Sequence, residues 1–249
     1  MQGAAKAEQS AVFGKEHSSE AALIGILYDF KQNQKRQPTG FNVETYPRVI
    51  EEFLEKGWSE SVLNRYFRAT RPLYTTQIYI PLMGAGEAPK AFDMEKVIKP
   101  SAWVIYYKGQ VSPPEDGTYR FLGYSDDLLA VAVNGQTVCI GARMELPAWK
   151  VPPGEGPFVP ATSKGLTYGD WIPLKKGEPI DLDVLIGERP GGGFCAFLLY
   201  EKQGEKYPVN EQGVPMYPIF QLAPYNTPVP SPGEGTPFSP SEKVWKGHQ

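Results

Sequence analysis

The chain has 249 residues, 41% of them hydrophobic and 21% charged, with a formal net charge of −3. No dense run of Lys and Arg is present, so nucleic acid is a poor partner, because phosphate binding needs clustered positive charge. Every apolar stretch is far shorter than the ~20 residues that span a bilayer. The start, Met1-Gln2-Gly3-Ala4, lacks the positive and apolar regions of an export signal, so either the protein stays inside the cell or a native signal has been removed.

The 25 prolines and 26 glycines favour many short strands and turns over long helices. Residues 1–19 are small, polar and charged without periodicity and read as a mobile leader. Ala21 to Phe30 is apolar and β-compatible, and makes a first strand. After a polar loop, Val49, Ile50, Phe53 and Leu54 recur at helical spacing, with Gly57 as a stop. Ser59 can cap a second short helix carrying Val62, Leu63, Tyr66 and Phe67. This helical insertion, about 43–68, either plugs one open end of a sandwich or forms a groove. Strands are predicted over 75–82, 102–107, 118–124, 128–133, 136–140, 180–186 and 194–200. Asn134-Gly135 between two of them is a strong hairpin signal, because both residues tolerate positive φ. Gly141 to Asp170 is a loop too long to be idle in a compact domain.

From residue 206 onward prolines crowd the chain, and such a segment is barred from interior strands. It reads as a proline-rich tail or linker over 206–249, extended over the surface or leading elsewhere. Tyr207, Tyr217, Phe220 and Tyr225 favour packing of its first half. The organisation expected is thus a leader (1–19), one β domain (20–205) and the tail (206–249), with no internal repeat.

The chemistry the residues exclude is wide. His17 and His248 are the only histidines, near the two ends, which removes Ser-His-Asp and Cys-His machinery and zinc sites built on His. Cys139 and Cys195 each sit in an apolar run, and are either buried free thiols or a disulfide between neighbouring strands. Gly191-Gly192-Gly193 has no Gly-Lys-Ser/Thr after it, so it is a hairpin tip rather than a phosphate loop. Asp181 and Asp183 share a strand face at ~6.5–7 Å, within the range of inverting glycosidases. Such pairs are usually a solvated strand face, and a non-catalytic role is expected.

Trp103 to Val111, Pro113-Pro114-Glu115-Asp116-Gly117-Thr118-Tyr119-Arg120-Phe121, Ser125-Asp126-Asp127 and Val133-Asn134-Gly135 follow one another in a distinctive order. The order resembles the heart of the protective-antigen domain family, the PA-fourteen module. Its pattern is an aromatic strand, a proline turn, Gly-Thr-Tyr-x-Phe, an Asp-Asp pair and an apolar strand ending in a polar-Gly turn. Residues 21–201 follow the family's order more loosely, and the helical insertion is not typical of it. The resemblance implies a mainly β fold, an antiparallel β-sandwich or barrel. It also implies a binding module of an extracellular or cell-envelope protein, as in adhesins and glycosidases.

In the family's lectins the adjacent aspartates hold a calcium ion completed by sugar hydroxyls. Asp126 and Asp127 are the matching positions here, and the candidate metal ligands. Successive strand side chains point to opposite faces, so both can hold one ion only with a bend or a cis peptide. The alternative is that the pair caps a turn through backbone hydrogen bonds. Leu128-Leu129 departs from the small or polar residues common there. Asn134 is a further oxygen ligand, or simply the hairpin turn. Trp149, Phe158, Tyr168, Asp170 and Trp171 either form a sugar platform or pack the long loop onto the sandwich. The expected partner is a glycan, possible with calcium, or an envelope protein met through the tail and the insertion in a structural or assembly module.

Overall fold

In the computed structural model, residues 12–17, 21–146, 154–157, 165–189, 192–224, 227, 235–239, 241 and 243–248 are described. The strands are β1 (Leu23–Asp29), β2 (Phe67–Arg68), β3 (Leu73–Thr75), β4 (Tyr79–Gly84), β5 (Trp103–Ser112), β6 (Gly117–Asp126) and β7 (Leu128–Val133). They continue with β8 (Gln136–Ile140), β9 (Thr167–Tyr168), β10 (Ile172–Leu174), β11 (Ile180–Glu188), β12 (Gly193–Lys202) and β13 (Lys246–His248). A 3-10 turn (Val43–Thr45) leads into helix α1 (Tyr46–Glu55), followed by α2 (Glu60–Leu63) and α3 (Glu87–Ala91). No described helix is long and apolar enough to cross a membrane.

The strands form two antiparallel sheets. One has eight strands, ordered β2-β1-β5-β11-β7-β8, with β3 beside β1 and β13 beside β5; the other has five, ordered β10-β6-β12-β4, with β9 beside β6. The mainly β sandwich expected from the sequence is therefore the architecture found. Strand alternation divides the core. Trp103, Ile105, Tyr107, Leu129, Val131, Leu182, Val184 and Ile186 point between the sheets, against Phe121, Phe194, Leu198 and Tyr200 of the smaller one.

The intervening residues of the larger sheet, including Tyr28, Val104, Tyr106, Leu128, Ala130 and Leu185, point outward and are buried too, under Tyr46, Ile50, Phe53, Trp58 and Leu63. The helical insertion thus covers an outer sheet face; it neither plugs an end nor opens a groove. The unbroken apolar run of Leu128–Val133 belongs to a strand buried on both faces. The outer face of the smaller sheet is covered in turn, Leu122, Tyr124, Phe197 and Leu199 lying under Leu166, Tyr217 and Ile219.

Both terminal expectations need correction. Phe13 of the supposed mobile leader is fully buried, and its carbonyl accepts a hydrogen bond from the Tyr107 hydroxyl at 2.8 Å. Described residues of the proline-rich tail are part of the fold. Its Phe220 and Trp245 are fully buried among Tyr119, Phe121 and Tyr200. Its last described residues form β13, paired with Ser112–Gln110. A tail with large aromatics gains more by burying them than it loses through its prolines, and none of the three residues of β13 is Pro.

Cys139 and Cys195 are free and buried. They lie in different layers, Cys139 between the sheets and Cys195 on the outer face of the smaller one, so the bridge left open by the sequence does not form. Burial pushes both thiols up to about 12.

Candidate functional site

Two of the chain's crossings between the sheets meet at one end of the sandwich. β6 belongs to the five-stranded sheet and β7 to the eight-stranded one, so Asp126-Asp127 is the corner of the first crossing. β11 belongs to the larger sheet and β12 to the smaller, so Glu188 stands at the corner of the second. The strand registers put these corners side by side: Leu128 pairs with Gly187, Asp126 pairs with Cys195, and the Asp127 amide donates to the Gly187 carbonyl at 3.1 Å. The Asp126–Asp127 peptide is cis. Both aspartates line one pocket of about 630 Å³, together with Glu188, Arg143, Met144 and Val43. That volume falls in the range of small-ligand pockets. Val43 comes from the turn before α1, so the insertion contributes a wall to the site.

The polar groups of the pocket are unevenly matched. Asp126 accepts a hydrogen bond from the Arg143 guanidinium at 2.7 Å, and Asp127 accepts one from the Arg189 amide at 2.9 Å. The Asp127 carbonyl accepts the amides of Arg143 and Met144 at 2.9 and 3.3 Å, which pins this segment beside the acidic corner. Glu188 is fully buried, and among the described residues neither of its carboxylate oxygens has a hydrogen-bond partner. Burial pushes its carboxyl up to about 9, with the charges of Asp127 and Asp126 adding to the rise and Arg143 opposing it. Burial also raises Asp127, against the pull of the Arg189 amide. Behind the pocket, the buried Tyr46 hydroxyl donates to the Trp103 carbonyl at 3.1 Å. A Cβ on Gly187 would lie 2.1 Å from that hydroxyl, so the helix can approach this corner only over a glycine.

The sequence-derived site residues do not come together as one set. Asp126 and Asp127 share the pocket. Asn134 is at the far end of β7, with φ of 50° followed by 76° at Gly135. Its side chain accepts the Asp181 amide at 2.9 Å, so it serves the hairpin and is not a ligand in this pocket. Tyr168 and Trp171 lie elsewhere on the smaller sheet, where the Arg120 guanidinium stacks on both rings, 3.9 and 4.4 Å from their centroids. Arg120 also donates to Glu201 at 2.6 Å, and the Tyr168 and Tyr217 hydroxyls are 3.2 Å apart. Trp149 and Phe158 fall outside the described residues. Of the strand-face pair, Asp181 accepts from Gln110 at 2.9 Å and Asp183 from the Tyr106 hydroxyl.

Glu188 and Arg143 are the site residues that sequence reasoning missed. A faint signal for Glu188 existed: it ends the apolar run Val184-Leu185-Ile186-Gly187, where a continuing strand would bury it.

Calcium takes six to eight oxygen ligands, and the donors here are hard carboxylate oxygens, which suit calcium or magnesium rather than a soft ion. Among the described residues, however, no group of three or more His, Cys, Asp or Glu side chains converges to hold a metal. The Arg143 guanidinium stands on one of the Asp126 oxygens. The donor chemistry therefore fits calcium, provided that Arg143 gives way and further oxygens come from water or ligand.

No family model and no curated protein matches the chain. Among solved structures it is similar to a PA14 sugar-binding domain from an RTX adhesin, at 16% identity and a TM-score of 0.46, over 81% of this chain and 96% of that one. It is similar also to the PA14 domain of the antifreeze protein MpAFP, at 14% identity and a TM-score of 0.44, over 76% and 86%. A third is the epithelial adhesin 6 A domain from Candida glabrata, solved in complex with Galb1-3GlcNAc, at 14% identity and a TM-score of 0.42, over 84% and 95%. The PA14 domains found this way are of the family whose order of elements residues 101–139 resemble. At such identities and TM-scores the likeness carries nothing about ligand or activity.

Proposed function

We propose that this chain is a non-catalytic binding module of an exported or cell-envelope protein, and that the pocket at Asp126, Asp127 and Glu188 takes a carbohydrate together with a calcium ion. One observation carries the reading. Two adjacent carboxylates share a pocket with a third carboxyl that is fully buried and has no hydrogen-bond partner among the described residues. Buried polar groups are normally satisfied, so a partnerless carboxyl facing a cavity marks a place for a ligand that brings donors or positive charge. Asp126 and Asp127 would hold the ion, and hydroxyls of the sugar would complete its shell. Val43 and Met144 offer an apolar wall for the C–H face of a ring. Carbohydrate as the ligand class, and the exported setting, rest on the sequence resemblance together with this mix of acidic and apolar walls.

An assembly role built on the tail and the insertion is less well supported. Large apolar side chains of both segments are spent on the protein's own core, Trp245 and Phe53 among them.

The test is thermal melting in calcium and in chelator, for the wild type and for Asp126→Asn/Asp127→Asn, followed by a screen on immobilised glycans. A ligand bound only by the folded state raises the melting point by mass action. The expected result is a rise of several degrees in calcium that the double variant loses, with glycan retention that follows calcium. A melting point indifferent to calcium in both proteins, with no glycan retained, would overturn the proposal.

A further inference from the structure

We infer that Arg143 is the group a divalent cation displaces from Asp126, and that it sets the cation affinity of the pocket; the inference rests on the calcium reading of the same site. The guanidinium donates to Asp126 Oδ2 at 2.7 Å and so holds a carboxylate oxygen that an ion would need. Its approach is from solvent. The Arg143 side chain is 61% exposed, while that of Asp126 is 14% exposed. The guanidinium can therefore leave without opening the core.

The backbone need not move in this departure. The Arg143 amide is held by the carbonyls of Asp127 and Ser125 at 2.9 and 3.3 Å, so the segment stays in place while the long side chain swings. The local charge also favours exchange. Three carboxyl groups, those of Asp126, Asp127 and Glu188, line the pocket with Arg143 and Arg189, and Arg189 meets Asp127 through its backbone amide. A doubly charged ion interacts with the carboxylates more strongly than a single guanidinium does.

Solvent-exposed ion pairs are weak, so removing the competitor produces a modest gain. Calcium alone is the probe, titrated by calorimetry into wild type, Arg143→Gln, Arg143→Lys and Asp126→Asn/Asp127→Asn. The expected result is calcium binding about three- to tenfold tighter in Arg143→Gln than in wild type. Arg143→Lys is expected to stay near wild type, because it keeps the competing charge, and the double aspartate variant to lose binding. Melting points in chelator check that each variant is folded, and the exposure of Arg143 makes its substitutions mild. Equal or weaker calcium binding by Arg143→Gln overturns the role of Arg143 and leaves the calcium site standing. Absence of calcium binding in every protein overturns both.

Discussion

The two ends of β6 treat charge in opposite ways. Near its start, the Arg120 guanidinium stacks on the Tyr168 and Trp171 rings and its Nε donates to Glu201, so its charge is paired and its faces are covered. At its end, Asp126 and Asp127 meet Glu188 around a pocket in which a buried carboxyl has no partner. The two clusters are six residues apart, ~20 Å along an extended strand. Both look equally functional as residue types, an arginine with aromatics and a trio of acids. Only satisfaction separates them. The arginine's charge has its partner at Glu201, whereas a buried polar group left unmatched beside a cavity is the mark of a place for a ligand.

The largest effect is expected at the closed end. Arg120→Ala removes the partner of Glu201, whose side chain is only 17% exposed, and leaves two rings without the group stacked between them. Destabilisation of ~2–3 kcal/mol is expected, read as a fall of ~5–10 °C in melting temperature. Calcium binding is expected to be unchanged. A loss of calcium or glycan binding in this variant would show that the two ends of β6 are one site.

Glu188→Gln probes the open end. A carboxyl pushed up to about 9 binds its proton more tightly in the folded than in the unfolded chain. Its contribution is fully present below the ordinary Glu range, and is lost as pH rises from there through about 9. In chelator, the glutamine variant is therefore expected to melt at the same temperature as wild type near pH 4 and above it at pH 8. The advantage there is on the order of 1–2 kcal/mol, ~3–6 °C. A pH-independent difference between the two proteins would mean that the Glu188 carboxyl is already matched.

The smallest effect belongs to Asn134. Asn134→Ala places an ordinary residue at φ of 50° and removes the acceptor for the Asp181 amide. A cost of ~1 kcal/mol is expected, with Asn134→Gly costing less and neither variant altering ligand or calcium affinity. A variant that loses binding while keeping its melting point would return Asn134 to the site.

Much of the fold was readable along the chain. The ends of β7 and β8 and the Asn134-Gly135 turn follow from local rules, since alternation and positive φ are properties of neighbouring residues. β10 escaped because it is three residues long and contains Pro173. The helical insertion was readable as helix but not as the cover of a sheet. The clue was the absence of alternation in Leu128–Val133, which marks burial on both faces. Half of the candidate site was readable as well, because Asp126 and Asp127 are adjacent in the chain.

By itself the sequence determined the long strands, the hairpin, the acidic corner and the absence of histidine away from the termini, all of them short-range or compositional features. The tertiary structure alone decided that Glu188 joins the aspartates, that Arg143 stands on one of them, that Tyr168 and Trp171 pack elsewhere, and that Trp245 fills the core. The physical reason is that these meetings depend on which strands change sheets and in what register. Arg143 lies 17 positions from Asp126 and Arg189 lies 62 from Asp127, and the second meets the acidic corner only because the β6 to β7 and β11 to β12 crossings are brought to the same end of one sandwich.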